Sequence, residues 1–87
     1  MTAITVTRSD VPLSRIAAAQ VRAFAAMRGM TQRQLGDRLG MIQSAVSDRY
    51  RERTPWTLDE LQRVAELMGV EVSDLLARPK GFEPLTF

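Results

Sequence analysis

Cysteine and histidine are both absent from this sequence, and each absence excludes a class of function. Without cysteine no disulfide can stabilise the fold, and without either residue a structural zinc site would depend on carboxylates, which are poor ligands for that purpose. The commonest general base and the best nucleophile of enzymes are missing as well. We therefore expect no enzyme and no bound metal or cofactor.

Long apolar segments are missing too. No stretch reaches the roughly 18 apolar residues that a membrane helix requires, and the first residues lack the basic and apolar regions of a secretory signal. The lack of cysteine fits a reducing compartment. These features predict a cytoplasmic protein with no membrane partner, and 87 residues suit one small domain.

Positive and negative charge are concentrated in different parts of the chain. Residues 28–53 contain six arginines and three acids, a balance of +3, whereas residues 54–77 contain one arginine and five acids, a balance of −4. Eleven of the twelve basic residues are arginine, the side chain best suited to bind phosphates and base edges. A high-GC genome also enriches arginine, so composition alone leaves nucleic-acid binding open.

The spacing of apolar residues predicts an all-α fold of five short helices. The predicted helices run from about Leu13 to Gly29, from Gln32 to Leu39, from Gln43 to Tyr50, from Leu58 to Gly69 and over the residues DLLAR from Asp74. Thr31, Thr57 and Ser73 are the predicted N-caps of the second, fourth and fifth helices. Thr57 begins the sequence TLDE, which is typical of a capping box.

Two terminal segments lie outside this helical region. We divide the chain into three parts: an N-terminal arm, residues 1–12; a folded helix-turn-helix domain, residues 13–78; and a C-terminal tail, residues 79–87. The tail contains two prolines and a glycine, so it cannot extend the last helix. Its apolar residues Phe82, Leu85 and Phe87 leave open whether the tail is disordered or docks on this domain or on a partner.

The second and third predicted helices are joined by a short turn that contains Gly40. A glycine-containing turn of this length between two short helices is typical of the helix-turn-helix, whose second helix lies in the major groove of DNA. Apolar Leu35, Leu39 and Val46 would let the two helices cross, and Gly36 lies where a close approach requires a small residue. The pattern therefore predicts a unit that binds double-stranded DNA.

If Val46 faces inward, the polar residues near the start of the third helix face outward or flank the outer face. Gln43 and Ser44 lie in the first turn, the part of this helix that meets base edges. Glutamine can form two hydrogen bonds with adenine, serine can bond to several bases or to a phosphate, and Ala45 could contact a thymine methyl group. An ordinary solvated surface remains the alternative for each of them.

The segment TQRQLGDRLGMIQSAVSDRY, residues 31–50, resembles the helix-turn-helix of the lambda repressor and Cro-like family, also called the XRE family. The similarity extends from about Val21 to Leu76 and includes LQRVAELMGVEVSDLL, which is similar to the family's fourth and fifth helices. It implies a compact five-helix, lambda-repressor-like DNA-binding domain. It also implies a sequence-specific transcriptional regulator, most similar to a phage or prophage repressor or a Cro protein.

This resemblance implies contacts to a DNA operator, palindromic or in half-sites, and leaves open whether a homodimer forms in free solution or only on DNA. The expected base contacts are Gln43, Ser44, Ala45 and Ser47. The expected phosphate contacts are Thr31, Gln32, Arg33, Arg51, Arg53 and Thr54. Because Pro55 favours an extended conformation for the residue before it, the third helix is expected to end near Arg51 and to leave Arg51 and Arg53 in a loop.

Three further residues, Ile42, Asp48 and Arg49, are candidate DNA contacts whose orientation is open. Ile42 takes the N-cap position of the third helix, where threonine, serine or glycine would serve better, and it could instead contact a thymine methyl group. Arg49 takes a position at which the family usually buries leucine or tryptophan. Tyr50 and Trp56 are therefore expected to fill that part of the core.

Two other functions remain open at this point. The apolar tail would suit a protein-interaction module, such as an antitoxin whose tail binds a toxin. An architectural, excisionase-like DNA binder is the third possibility, and DNA bending would support it. Salt-sensitive binding to a palindrome without a partner would favour the regulator, whereas co-purification with a toxin through residues 79–87 would favour the antitoxin.

Overall fold

The computed structural model describes residues 11–78, which form five α-helices. Their bounds are α1 Leu13–Met27, α2 Gln32–Leu39, α3 Gln43–Tyr50, α4 Leu58–Met68 and α5 Val72–Leu76. No strand occurs in that range, and the predicted all-α fold of five helices is confirmed. None of the helices within it is long and apolar enough to cross a membrane. The predicted tail and all but the last two residues of the predicted arm lie outside the described residues.

Local sequence signals begin α2 and α4 as predicted. Thr31 Oγ1 accepts a hydrogen bond from the Gln34 amide at 3.0 Å, and the Gln34 side chain accepts one from the Thr31 amide at 2.9 Å. Thr57 and Glu60 repeat this exchange at 3.1 and 3.0 Å. Each reciprocal pair satisfies amides that the start of a helix otherwise leaves without partners.

The fifth helix begins earlier than the sequence predicts. Its N-cap is Glu71, so the prediction of Ser73 as the cap is wrong. The Glu71 amide donates to Asp74 Oδ2 at 2.9 Å, and Ser73 is an exposed residue inside the helix. The carboxylate of Asp74 favours the earlier start, because it satisfies the amide of the N-cap residue and also suits the positive end of the helix dipole.

One hydrophobic core joins all five helices. Each helix contributes a side chain with 0% exposure: Val21, Leu35, Val46, Val64 and Leu75. Trp56, in the loop before α4, is buried, and Tyr50 packs half-buried against the same core. The expectation that these two aromatic residues fill the core near Arg49 is confirmed.

Two arginines, one in α1 and one directly after it, donate hydrogen bonds to the last carbonyls of other helices. Arg22 donates to the carbonyl oxygen of Tyr50 in α3 at 2.8 Å, and Arg28 donates to that of Met68 in α4 at 2.8 Å. The last carbonyls of a helix have no partners within it. These bonds therefore satisfy polar groups at the ends of α3 and α4 and hold both ends against α1.

Candidate nucleic-acid interface

Gly36 of α2 packs closely against the turn before α3 and against Val46 of α3. A Cβ atom added to Gly36 would lie 2.6 Å from the carbonyl oxygen of Met41 and 3.3 Å from Val46 Cγ2. The first obstacle is backbone, so even an alanine would push the turn away from α2. The Met41 amide also donates to the Gly36 carbonyl at 2.8 Å. The predicted need for a small residue is confirmed, and the turn into α3 is fixed against α2.

The outer face of α3 carries the four residues predicted to contact bases. Gln43 and Ser44 are exposed, Ala45 and Ser47 are half-buried, and Val46 is buried in the core. Residues four apart in a helix lie on one face, so Gln43 and Ser47 are neighbours on the surface. The structure thus brings a small polar surface together in the first turn and a half of α3.

Ile42 lies immediately before this surface as the N-cap of α3. Its side chain is 72% exposed and forms no capping hydrogen bond. An apolar side chain has no atom that can accept from the first amides of the helix, so this position costs stability relative to serine or threonine. The consequence is an exposed branched apolar side chain beside Gln43.

Exposed arginines flank the outer face of α3. Arg51 directly follows α3, as predicted, and both Arg51 and Arg53 are exposed in the turn after it. Arg33 is exposed near the start of α2, where Gln32 is half-buried and Thr31 is exposed. The charged ends of these three arginines are available to a ligand that covers α3.

The turn after α3 is closed by backbone hydrogen bonds to Asp48. The amides of Arg53 and Thr54 donate to the Asp48 carbonyl oxygen at 2.8 and 3.4 Å. Both Asp48 and Thr54 are half-buried. Their backbones therefore determine the path of the loop that carries the two exposed arginines.

Glu52 stabilises the same turn through contacts that sequence reasoning missed. Its φ of 64° lies in the left-handed region, which is uncommon for residues other than glycine. Its carboxylate accepts from Arg15 Nε at 2.9 Å and lies 3.7 Å from Arg22 Nη1. Both arginines belong to α1, at least 30 residues away in the sequence, so no local spacing could have indicated these contacts.

Unlike Arg51 and Arg53, Arg49 points toward α4. Its Nε and Nη2 donate to the two carboxylate oxygens of Glu60 at 2.9 and 3.0 Å, and its Nη1 donates to the Ala45 carbonyl at 3.0 Å. The guanidinium also lies 5.8 Å from the centre of the Trp56 ring. With 14% of its side chain exposed, Arg49 is engaged within the protein.

Glu60 receives hydrogen bonds from two elements at once. Its Oε1 accepts from Arg49 Nε and also from the Thr57 amide at the start of α4. Burial alone would raise the pKa of Glu60, but the hydrogen bonds from Arg49 and Thr57 and the arginine charge outweigh burial and lower that pKa below its ordinary value. One carboxylate therefore both caps α4 and fastens the end of α3 to it.

Comparison with known proteins identifies the family of this arrangement. Residues 21–75, well over half of the chain, match the helix-turn-helix family HTH_3. The chain belongs to this helix-turn-helix family. The match begins within α1 and ends within α5, and it confirms the resemblance to the lambda repressor-like, or XRE, proteins. This helix-turn-helix protein is a DNA-binding regulator and not an enzyme.

Solved structures of transcription regulators share the fold. The clp gene regulator ClgR from C. glutamicum is 26% identical with a TM-score of 0.74, over 88% of this chain and 100% of that chain. A hypothetical transcription factor, NHTF, from Neisseria is 25% identical with a TM-score of 0.72, over 87% of this chain and 92% of that chain. No curated protein matches the sequence. The similarity to both solved structures extends over most of the chain.

Proposed function

We propose that this helix-turn-helix protein regulates transcription by binding a specific sequence of double-stranded DNA, with α3 in the major groove. The outer face of α3 carries the proposal. Gln43 and Ser44 are exposed in its first turn, where the second helix of such a unit meets base edges. The packing of Gly36 against Met41 and Val46 holds that turn at a fixed position relative to α2.

The residue types on this face suit base recognition. The Gln43 amide can donate to and accept from one adenine, which distinguishes that base from the other three in the major groove. The Ser44 and Ser47 hydroxyls can bond to bases or to a nearby phosphate, and Ala45 is small enough for a thymine methyl group to approach. Ile42 offers a second apolar contact for such a methyl group.

Phosphate contacts from both sides would orient α3 in the groove. Arg51 and Arg53 provide charge in the loop after α3, and Arg33 provides it at the start of α2. Thr31 and Gln32 lie at the N-terminus of α2, where backbone amides and the helix dipole favour an anion. Thr54, half-buried in the same loop as Arg51 and Arg53, is a further proposed phosphate contact.

We further propose the specific form of a phage or prophage repressor or Cro-type regulator. The support is the close likeness of GMIQSAV, residues 40–46, to the turn and second helix of lambda repressor-like proteins. The protein would act as a dimer on a palindromic operator. In that geometry the two half-sites lie about 34 Å apart, one turn of the DNA helix.

Capture of genomic fragments, followed by sequencing and footprinting, would identify the operator and test the proposal. On that operator we expect Gln43→Ala to cost about 1–3 kcal/mol and to relax specificity at one base position. Arg51→Ala is expected to weaken binding to all sequences and to lower the slope of log affinity against log salt by about 1.

Arg63→Ala supplies the matched control for these variants. Arg63 is an exposed arginine of α4, outside the proposed face, and its loss should leave both operator specificity and salt slope unchanged. Wild-type affinity in both Gln43→Ala and Arg51→Ala would show that the protein binds DNA through another surface.

A further inference from the structure

An apolar groove lies between the starts of α1 and α4 and the end of α5. Its apolar lining residues are Leu13, Ala17, Trp56, Leu58, Leu61 and Leu76. Two of them stand out from the surface, since Leu13 is 60% exposed and Leu58 is 74% exposed. Neighbouring exposed leucines that border a groove are typical of a contact surface. None of the proposed DNA contacts lines this groove.

Trp56 forms part of the groove wall and carries an unsatisfied donor. Its indole Nε1 is buried and has no hydrogen-bond partner within residues 11–78. Buried donors of folded proteins nearly always have partners. That nitrogen is itself shielded from solvent, so a segment in the groove does not reach it unless the groove wall moves.

The chain leaves α5 beside this groove. Leu76, the last residue of α5, is part of the lining. The side chain of Gln20 in α1 donates to the carbonyl oxygens of Asp74 and Ala77 at 3.0 and 2.9 Å, so the exit point is held against α1. Gln20 is three residues from the groove residue Ala17 and lies on the same side of α1, about one helical turn away.

The nine residues that follow have the composition of a segment that suits this groove. Residues 79–87, PKGFEPLTF, include the three large apolar residues Phe82, Leu85 and Phe87. Phe82 is five residues beyond Ala77, and five extended residues span up to about 17 Å. The first aromatic side chain of the tail can therefore reach the groove from the fixed exit point.

We propose that residues 79–87 fold back onto their own domain and fill this groove. Aromatic and leucine side chains of the tail pack on the exposed Leu13 and Leu58. The short connection favours the chain's own tail over a second copy, since a tethered segment has an effective concentration of the order of millimolar. The N-terminal arm adjoins the groove at Leu13 but contains no aromatic side chain.

A paramagnetic label can locate the tail in the full-length protein. The sequence has no cysteine, so Thr86→Cys gives one nitroxide attachment site in the tail and Thr5→Cys gives one in the arm. We expect the label at residue 86 to broaden the methyl signals of Leu13 and Leu58 in its own chain. The label at residue 5 should broaden Leu13, to which eight residues tether it, but should leave the methyl signals of Leu58 sharp.

Mixing chains distinguishes the possible occupants. Spin-labelled Thr86→Cys protein without isotopes is added to isotope-labelled protein that carries no spin label. Sharp methyl signals in this mixture, together with broad signals when the spin label and the isotopes are in the same chain, support the proposal. Broad signals in the mixture would identify a second copy as the occupant, broadening of Leu58 from residue 5 alone would identify the arm, and no broadening of Leu58 from either label would leave the groove empty; each of these overturns the proposal.

Thermal unfolding gives an independent test with a matched control. Leu58→Ser is expected to lower Tm by about 4–8 °C, the effect of roughly one buried contact in a domain of this size. Met27→Ser, at a side chain equally exposed at 74% but outside the groove, should change Tm by less than about 2 °C. When Phe82→Ser and Phe87→Ser are already present, the effect of Leu58→Ser should disappear. An equal effect of Leu58→Ser in both backgrounds would refute tail docking.

Discussion

Helix α4 has its own side-chain cap and a broad buried stripe, whereas α3 has neither and depends more on its neighbours. The reciprocal cap of Thr57 and Glu60 begins α4, four of its side chains are buried, and it ends at Gly69 with a φ of 73°. By contrast, α3 begins at Ile42 without a side-chain cap and buries only Val46. A helix as short as α3, with one buried residue, would not be stable in isolation.

The neighbours of α3 provide what its own sequence lacks. Arg22 bonds to its last carbonyl, Arg49 fastens it to Glu60 of α4, and Gly36 lets its first turn pack against α2. A wide apolar stripe would stabilise α3 directly but would leave fewer outward positions for polar residues. The difference between α3 and α4 therefore follows from the need for a polar outer face on α3.

Valine-to-alanine substitutions in α3 and α4 are expected to have the largest effects on stability. Val46 and Val64 are both 0% exposed, and each replacement is expected to lower the free energy of unfolding by about 1.5–3 kcal/mol, through lost burial and a cavity. Urea denaturation measures this. Only Val46→Ala should also weaken DNA binding, at a temperature where both variants are folded, because it loosens α3. Equal losses of DNA affinity would contradict the comparison.

Glu60→Gln breaks the charged contact through which α4 holds α3. At neutral pH the free energy of unfolding of the variant is expected to be lower by about 1–3 kcal/mol. The reason is that hydrogen bonds to a charged group are lost and Arg49 is left mostly buried without its charged partner. Urea denaturation measures the difference, and Glu66→Gln, at an exposed position of α4, is the control.

The same pair predicts a dependence on pH. The pKa of Glu60 is lowered in the folded protein, so its contribution to stability is complete above the ordinary pKa of glutamate and is lost as the pH falls through the lower folded value. The stability difference between wild type and Glu60→Gln should therefore shrink in acid. A difference that stays constant from neutral pH to about pH 3 would show that the charge of Glu60 contributes nothing.

Replacing Ile42 with a residue that carries a hydroxyl group should supply the side-chain cap that α3 lacks, but it should also weaken an apolar contact with DNA. A threonine hydroxyl can accept from the first amides of α3, which we expect to raise the free energy of unfolding by about 0.5–1 kcal/mol. With uracil in place of thymine in the operator, wild-type affinity should fall about 4-fold, the value of one buried methyl group. The Ile42→Ser variant, which offers the same cap but has no methyl group, should bind both DNAs equally, and Ile42→Val should retain the preference. Equal preference in wild type and Ile42→Ser would exclude this methyl contact.

The elements that could be predicted from sequence are those whose causes are local. The caps at Thr31 and Thr57 each involve a partner three residues away, and the burial of Val46 follows from the 3.6-residue period. The prediction of Ser73 as the cap of α5 is wrong because the helix begins at Glu71, two residues earlier, where the Glu71 amide donates to Asp74 Oδ2. Neighbouring polar residues compete for the N-cap, so the spacing alone does not decide between them.

The contacts that position α3 could not be predicted, because they join distant parts of the chain. Arg49 and Glu60 lie on different helices, and Arg22 is 28 residues from Tyr50. The sequence indicated that Arg49 departs from the family pattern but not where its guanidinium would lie. The exposure of Gln43, Ser44, Arg51 and Arg53 agrees with the expected interface, while their contacts to DNA remain predictions.

The most direct test of the proposed interface is to follow the backbone amides of the protein by NMR during titration with the footprinted operator. We expect the largest shifts in three segments, residues 31–33, 42–47 and 51–54, and small shifts throughout α5. A titration repeated with Arg51→Ala should retain this pattern at lower affinity. Large shifts confined to α4 and α5, with those three segments unchanged, would contradict the assignment of the α3 face as the surface that binds DNA.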